Sequence, residues 1–76
     1  MKDLVEFVAK HLVEQPEEVR VMEREGERGS ILELRVAPSD MGKVIGRGGR
    51  IAKALRTVVK AAGIKQGRMY QVEIVD

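Results

Sequence analysis

Residues 42–56 read GKVIGRGGRIAKALR. Three of the glycines, Gly46, Gly48 and Gly49, crowd into four positions, and an apolar-periodic run begins directly after them. At about 100° per residue, Ile51, Leu55, Val58, Val59 and Ala62 share one face of a helix, and Arg50, Lys53, Arg56 and Lys60 occupy the opposite side. The spacing predicts a helix over 50–62, ended by Gly63 in the position where helices often take a left-handed residue. Upstream, Ser39 or Asp40 is placed to cap a short helix running through Ile45. The glycines therefore join two helices, and the rest of the chain is organised around that joint.

Outward from the joint, the N-terminal segment 3–14 carries Leu4, Val5, Val8 and Leu12 at helical spacing. Asp3 and Glu6 are spaced as a capping box, and Pro16 stops the helix because a residue before proline is pushed out of the helical region. Residues 18–24 (EVRVMER) alternate, with Val19 and Val21 on one side, and residues 31–36 (ILELRV) alternate with Leu32, Leu34 and Val36 facing in. The glycine-containing EGERGS between them predicts a hairpin. Residues 68–75 (RMYQVEIV) alternate again, with Tyr70, Val72 and Ile74 on one side, giving a third strand. A helical crossover from the second strand to the third makes that pair parallel. The expected class is α+β: one domain over residues 1–76, order α-β-β-α-α-β, with a mixed three-stranded sheet and three helices packed on one face. Arg20, Arg24, Glu33, Arg35, Gln71 and Glu73 fall on the other sheet face, which suits water.

The charge is segregated. Residues 43–68 hold eight basic residues and no acid, whereas residues 1–42 hold six basic and ten acidic ones, although the net charge is only +2. A one-signed block of that length attracts polyanions and speeds their encounter. With 76 residues and no cysteine, the chain offers a small core and no disulfide, thiolate metal site or cysteine nucleophile. No apolar run approaches the roughly 18 residues of a membrane helix. The N-terminus carries acids within its apolar stretch and no small-residue cleavage site, so the expectation is a soluble cytoplasmic protein that engages no membrane.

Spacing tests the glycines against the nucleotide motifs. A P-loop beginning at Gly42 requires glycine at position 47, which is Arg47. A dinucleotide fingerprint beginning at Gly46 requires glycine at position 51, which is Ile51, and the later acidic residue is missing. What fits is a Gly-x-x-Gly clamp, Gly46-Arg47-Gly48-Gly49, between two helices. A nucleic acid backbone approaches closely only where side chains are absent. The first turn of the following helix presents N–H groups and a positive dipole end, and Arg47 and Arg50 add full charges. Such a site holds phosphates without reading a particular base. His11 is the only histidine, lying about one turn from Phe7 on the first helix, and no paired carboxylates or metal spacing accompany it. No enzymatic activity, cofactor or metal is expected.

VIGRGGRIAKALR, residues 44–56, resembles the signature of the KH domain, an aliphatic-Gly-x-x-Gly loop followed by a helix. The helix-first, strand-last order resembles the type II arrangement. PSDMGKVIGRGGRIAKALRTVVKAAG, residues 38–63, is similar to the small stand-alone bacterial KH proteins of the KhpA type. The resemblance implies single-stranded RNA as ligand, with Lys43, Ile45, Gly46, Arg47, Gly48, Gly49, Arg50 and Lys53 at the contact. It implies a base groove bounded by the short helix (Met41, Val44, Ile45), the basic helix and the second strand, where Ile45 and Ile51 fit either groove or core. It further implies an RNA chaperone or post-transcriptional regulator, linked to cell shape and peptidoglycan homeostasis. The implied partners are a second copy or a second KH-containing protein of the KhpB or Jag type. Gly48 departs from the family pattern, in which a larger polar residue is common there. Phe7 and Tyr70 are the only aromatics and lie away from the clamp, so phosphate contacts outweigh stacking. A basic helical face that docks an acidic protein is the alternative reading of the charge block.

Overall fold

The computed structural model describes residues 1–75, and for Arg47 and Gly48 the backbone alone. The elements are α1 (Lys2–Leu12), a single 3₁₀ turn (Pro16–Glu18), β1 (Arg20–Gly26), β2 (Gly29–Arg35), α2 (Pro38–Gln66) and β3 (Tyr70–Val75). The sheet runs β1-β2-β3, with β1 antiparallel and β3 parallel to the central β2. Gly26 pairs with Gly29, so the hairpin turn is only Glu27 and Arg28, and both glycines that signalled a turn are its last paired residues.

α2 is not one straight rod. Gly49 lies inside it with φ 69°, a left-handed angle that a right-handed helix cannot continue through. Its 29 residues would span about 43 Å if straight, more than the longest principal extent of the molecule, 34 Å. The segment therefore consists of two arms, residues 38–48 and 50–66, and the α-β-β-α-α-β order stands.

All three helical pieces contribute to one core. Val5 and Ala9 come from α1, Val44 from the first arm, and Leu55 and Val59 from the second. They meet Val21, Leu32, Leu34 and Val72 on a single face of the sheet, and Val36 just beyond β2. Leu32, Leu34 and Leu55 are the largest fully buried side chains, each contributing roughly 1.5–3 kcal/mol by removal from water. The opposite face carries Arg24, whose Nε donates to Glu33 (3.0 Å) and whose Nη2 donates to Glu73 (3.4 Å).

Several local expectations are corrected. α1 starts at Lys2 with Met1 as N-cap and no side-chain cap, so Asp3 and Glu6 form no capping box. Glu6 instead pairs with Lys10 one turn on (2.9 Å), and this bond holds the Glu6 carboxyl below its ordinary pKa. The buried stripe of α1 is Val5 and Ala9, while Leu4 and Leu12 lie at its exposed margins. Val58 is likewise exposed, and Ala52 takes its place in the core. Gly63 does not end α2. Its backbone approaches the chain so closely that a Cβ would lie 2.7 Å from the Arg68 carbonyl, and the helix runs on to Gln66, closed by left-handed Gly67. At the other end of α2, Pro38 takes the first helical position and no side chain caps it. Asp40 and Ser39 are turned to other partners, described below.

Candidate nucleic-acid interface

The first arm presents Lys43, Ile45 and Gly46, the left-handed Gly49 turns the chain, and the second arm opens on Arg50. The positive end of the second arm's dipole thus falls beside a guanidinium. Gly42, Lys43, Gly46, Arg50 and Ile51 line one cavity of about 470 Å³ at the joint. Of the residues expected at the contact, the structure brings together Lys43, Gly46 and Arg50. Lys53 is exposed nearly a turn further along and lines no part of that cavity. For Arg47 and Gly48 only the backbone is described. Ile45 is 53% exposed and therefore is not core, whereas Ile51 packs half-buried against the core and also borders the cavity.

The glycines divide into two kinds. At Gly29 and Gly63 an added Cβ would lie 2.4 and 2.7 Å from the backbone carbonyl oxygens of Met69 and Arg68, so packing demands their small size. At Gly42, Gly46 and Gly49 it would meet nothing within 4 Å. Gly49 has its left-handed φ as a reason, but Gly42 and Gly46 have neither strain nor crowding to explain them. A helix-interior glycine costs about 1 kcal/mol against alanine. Two such glycines in one arm leave bare backbone facing outward at the mouth of the basic arm.

The first arm is held by the segment that follows α1. The Asp40 carboxylate is fully buried and accepts the backbone N–H of Glu14 (3.0 Å) and of Gln15 (3.1 Å). The Gln15 side-chain amide donates to Ser39 Oγ (2.8 Å). Lys43, one turn after Asp40, donates to and pairs with the Glu14 carboxylate.

The apolar cleft of the structure borders β3 rather than β2. β2 is the central strand, with both edges paired and its inner face in the core, so no part of it lies open on the side where the helices pack. Val44 is core and Met41 packs against it. The open cleft, about 490 Å³, runs between the second arm and the edge strand β3. Ile64, Met69, Tyr70 and Val72 give it an apolar surface, and Arg56, Lys60 and Arg68 add three cations. Arg56 Nε donates to the Val72 carbonyl (3.4 Å), and the Arg68 guanidinium lies 5.6 Å from the Tyr70 ring centre. Tyr70 thus lines a basic cleft and lies away from the glycine joint. Its alternation with Val72 and Ile74 marked it as inward-facing, and only the packing of the second arm shows that it stands at the cleft.

The KH family model that matches this chain, described as KhpA/KhpB, KH domain, covers residues 2–74. The chain belongs to the KhpA/KhpB KH-domain family. Among relatives in this family, RNA-binding protein KhpA of Clostridium perfringens is 63% identical over 75 residues, covering 99% of this chain and 100% of its own. The protein of the same name from Clostridium acetobutylicum is 60% identical with the same coverage. That of Aquifex aeolicus is 51% identical over 76 residues, covering 100% of this chain and 96% of its own. No solved structure is significantly similar to the chain. Among the described residues no helix is long and apolar enough to cross a membrane.

Proposed function

We propose that this KH-family chain binds single-stranded RNA, clamping the phosphate backbone at the Gly46–Gly49 joint and laying bases along the cleft between α2 and β3. The observation that carries this reading is the pair of glycines with open space around them. Gly42 and Gly46 cost helix stability and return no packing, which makes sense where an external backbone comes within van der Waals reach. Lys43 and Arg50 beside them supply charge, and Arg56, Lys60 and Arg68 continue it along the cleft. The relatives named RNA-binding protein KhpA support the choice of RNA over other polyanions.

One small domain with few base contacts binds weakly, so pairing with a second KH domain, in another copy or in a protein of the KhpB type, raises affinity through effective concentration. Chaperone or regulatory action on RNA in the cytoplasm, with effects on cell shape and the cell wall, would follow from such binding.

The test is the double variant Arg47→Asp/Gly48→Asp. It puts two carboxylates where the clamp needs cations. Circular dichroism and the melting temperature should match wild type. Fluorescence anisotropy with a mixed-sequence single-stranded RNA should show affinity reduced by at least about tenfold at low salt. A folded variant that binds as wild type would remove the joint from the interface.

A further inference from the structure

The sequence keeps acids out of residues 43–68, but the fold returns one to the start of that block. Glu14 comes from the exit of α1, and its carboxylate pairs with Lys43, a residue lining the cavity at the glycine joint. Among the described residues neither Arg50 nor Lys53 forms an ion pair. The contact is not a chance meeting of two long side chains, because the Glu14 backbone is fixed. Its N–H and that of Gln15 donate to the two oxygens of the buried Asp40 carboxylate, three residues before Lys43 on the same arm. A carboxylate held on an ammonium offers the same charge sign and anionic oxygen acceptors as a nucleic acid phosphate.

We propose that Glu14 is an internal competitor for RNA phosphate at Lys43, set in place by Asp40, and that it lowers the affinity of the clamp. This rests on the reading that the joint binds RNA. A phosphate reaching Lys43 must displace the Glu14 carboxylate. Asp40 then keeps the displaced group nearby, where it repels the phosphate that replaced it. Glu14 is thus an affinity-setting residue, and Asp40 a positioning residue for it. The Glu14 side chain is 72% exposed, so its replacement by glutamine leaves the core and the backbone bonds to Asp40 in place.

The experiment is a double-mutant cycle in the full chain, with Glu14→Gln, Lys43→Gln and the combination. Binding to a mixed-sequence single-stranded RNA is followed by anisotropy at low ionic strength. Glu14→Gln should bind roughly two- to fivefold tighter, the range an exposed ion pair supports. Lys43→Gln should bind more weakly than wild type, and in that background Glu14→Gln should gain nothing. The proposal is overturned if Glu14→Gln binds as wild type, if its gain persists in full without Lys43, or if Lys43→Gln has no effect. Those outcomes leave the clamp itself standing when Arg47→Asp/Gly48→Asp still abolishes binding. If that double variant binds normally, the clamp and the competitor fall together.

Discussion

Gly49 and Gly67 have the same backbone angle, φ 69°, and at neither would a Cβ meet an atom within 4 Å. Alanine at either position therefore costs only the strain of holding an L-residue left-handed, about 1–2 kcal/mol. What depends on the angle differs. Gly67 closes α2, its N–H reaching the carbonyls of Gly63 and Ile64. Gly49 sets the direction of the second arm relative to the first, and with it the spacing of Lys43, Gly46 and Arg50 around one cavity. Gly49→Ala and Gly67→Ala should lower stability by similar amounts in urea titration, and only Gly49→Ala should weaken binding to single-stranded RNA. Equal weakening by both would mean that the loss comes from stability and not from the joint. Glycine at these two positions was visible in the sequence, but its purpose was not. The pattern placed the helix end at Gly63, because a sequence does not show whether a glycine answers to φ or to a neighbour such as the Arg68 carbonyl.

Among the elements, the strands were the most legible, because alternation alone separates Leu32, Leu34 and Val72 from Glu33 and Glu73. Their ends were less so: the hairpin turn is two residues long, and its flanking glycines pair. α1 misled for a different reason, since Ala9 is a weak apolar signal yet faces the core, while the stronger Leu4 and Leu12 sit at the margins. Contacts between distant elements carried no signal at all: Asp40 reaches amides 26 and 25 residues away, and the cleft at β3 exists only once α2 packs there. The outer sheet face yields a prediction of its own. Glu33 and Glu73 are direct cross-strand neighbours, and like charges so placed destabilise a sheet. Arg24 bridges them, and its hydrogen bond to Glu33, with the Glu73 charge adding to it, holds the guanidinium pKa above its ordinary value. Glu73→Gln should therefore lower stability in wild type and raise it in the Arg24→Gln background, a change of sign measurable by urea denaturation at low salt. An equal change in both backgrounds would show that Arg24 does not couple the two strands.

At the scale of the whole molecule the question is whether RNA responds to the overall field or to a defined set of contacts. The net charge is only +2, because acids concentrated in residues 1–42 offset the eight cations of residues 43–68. A diffuse field would feel every charge, acidic ones included, whereas counterion release counts only the phosphates neutralised at the interface. On the proposed clamp, four contacts, from Lys43, Arg47, Arg50 and Lys53, would give a slope of log K against log salt of about −3, at roughly −0.7 per contact on a single strand. Cations of the cleft would steepen it. Lys53→Gln should flatten the slope by about 0.7. Glu17→Gln/Glu18→Gln, which changes net charge by twice as much in the exposed turn before β1, should leave the slope unchanged. Titrations of the three proteins between about 50 and 200 mM salt decide it. If removing the two acids shifts the slope as much as removing Lys53 does, RNA is held by the general field of the basic arm. If only the lysine counts, the glycine joint and the arm it opens form a discrete phosphate-binding surface.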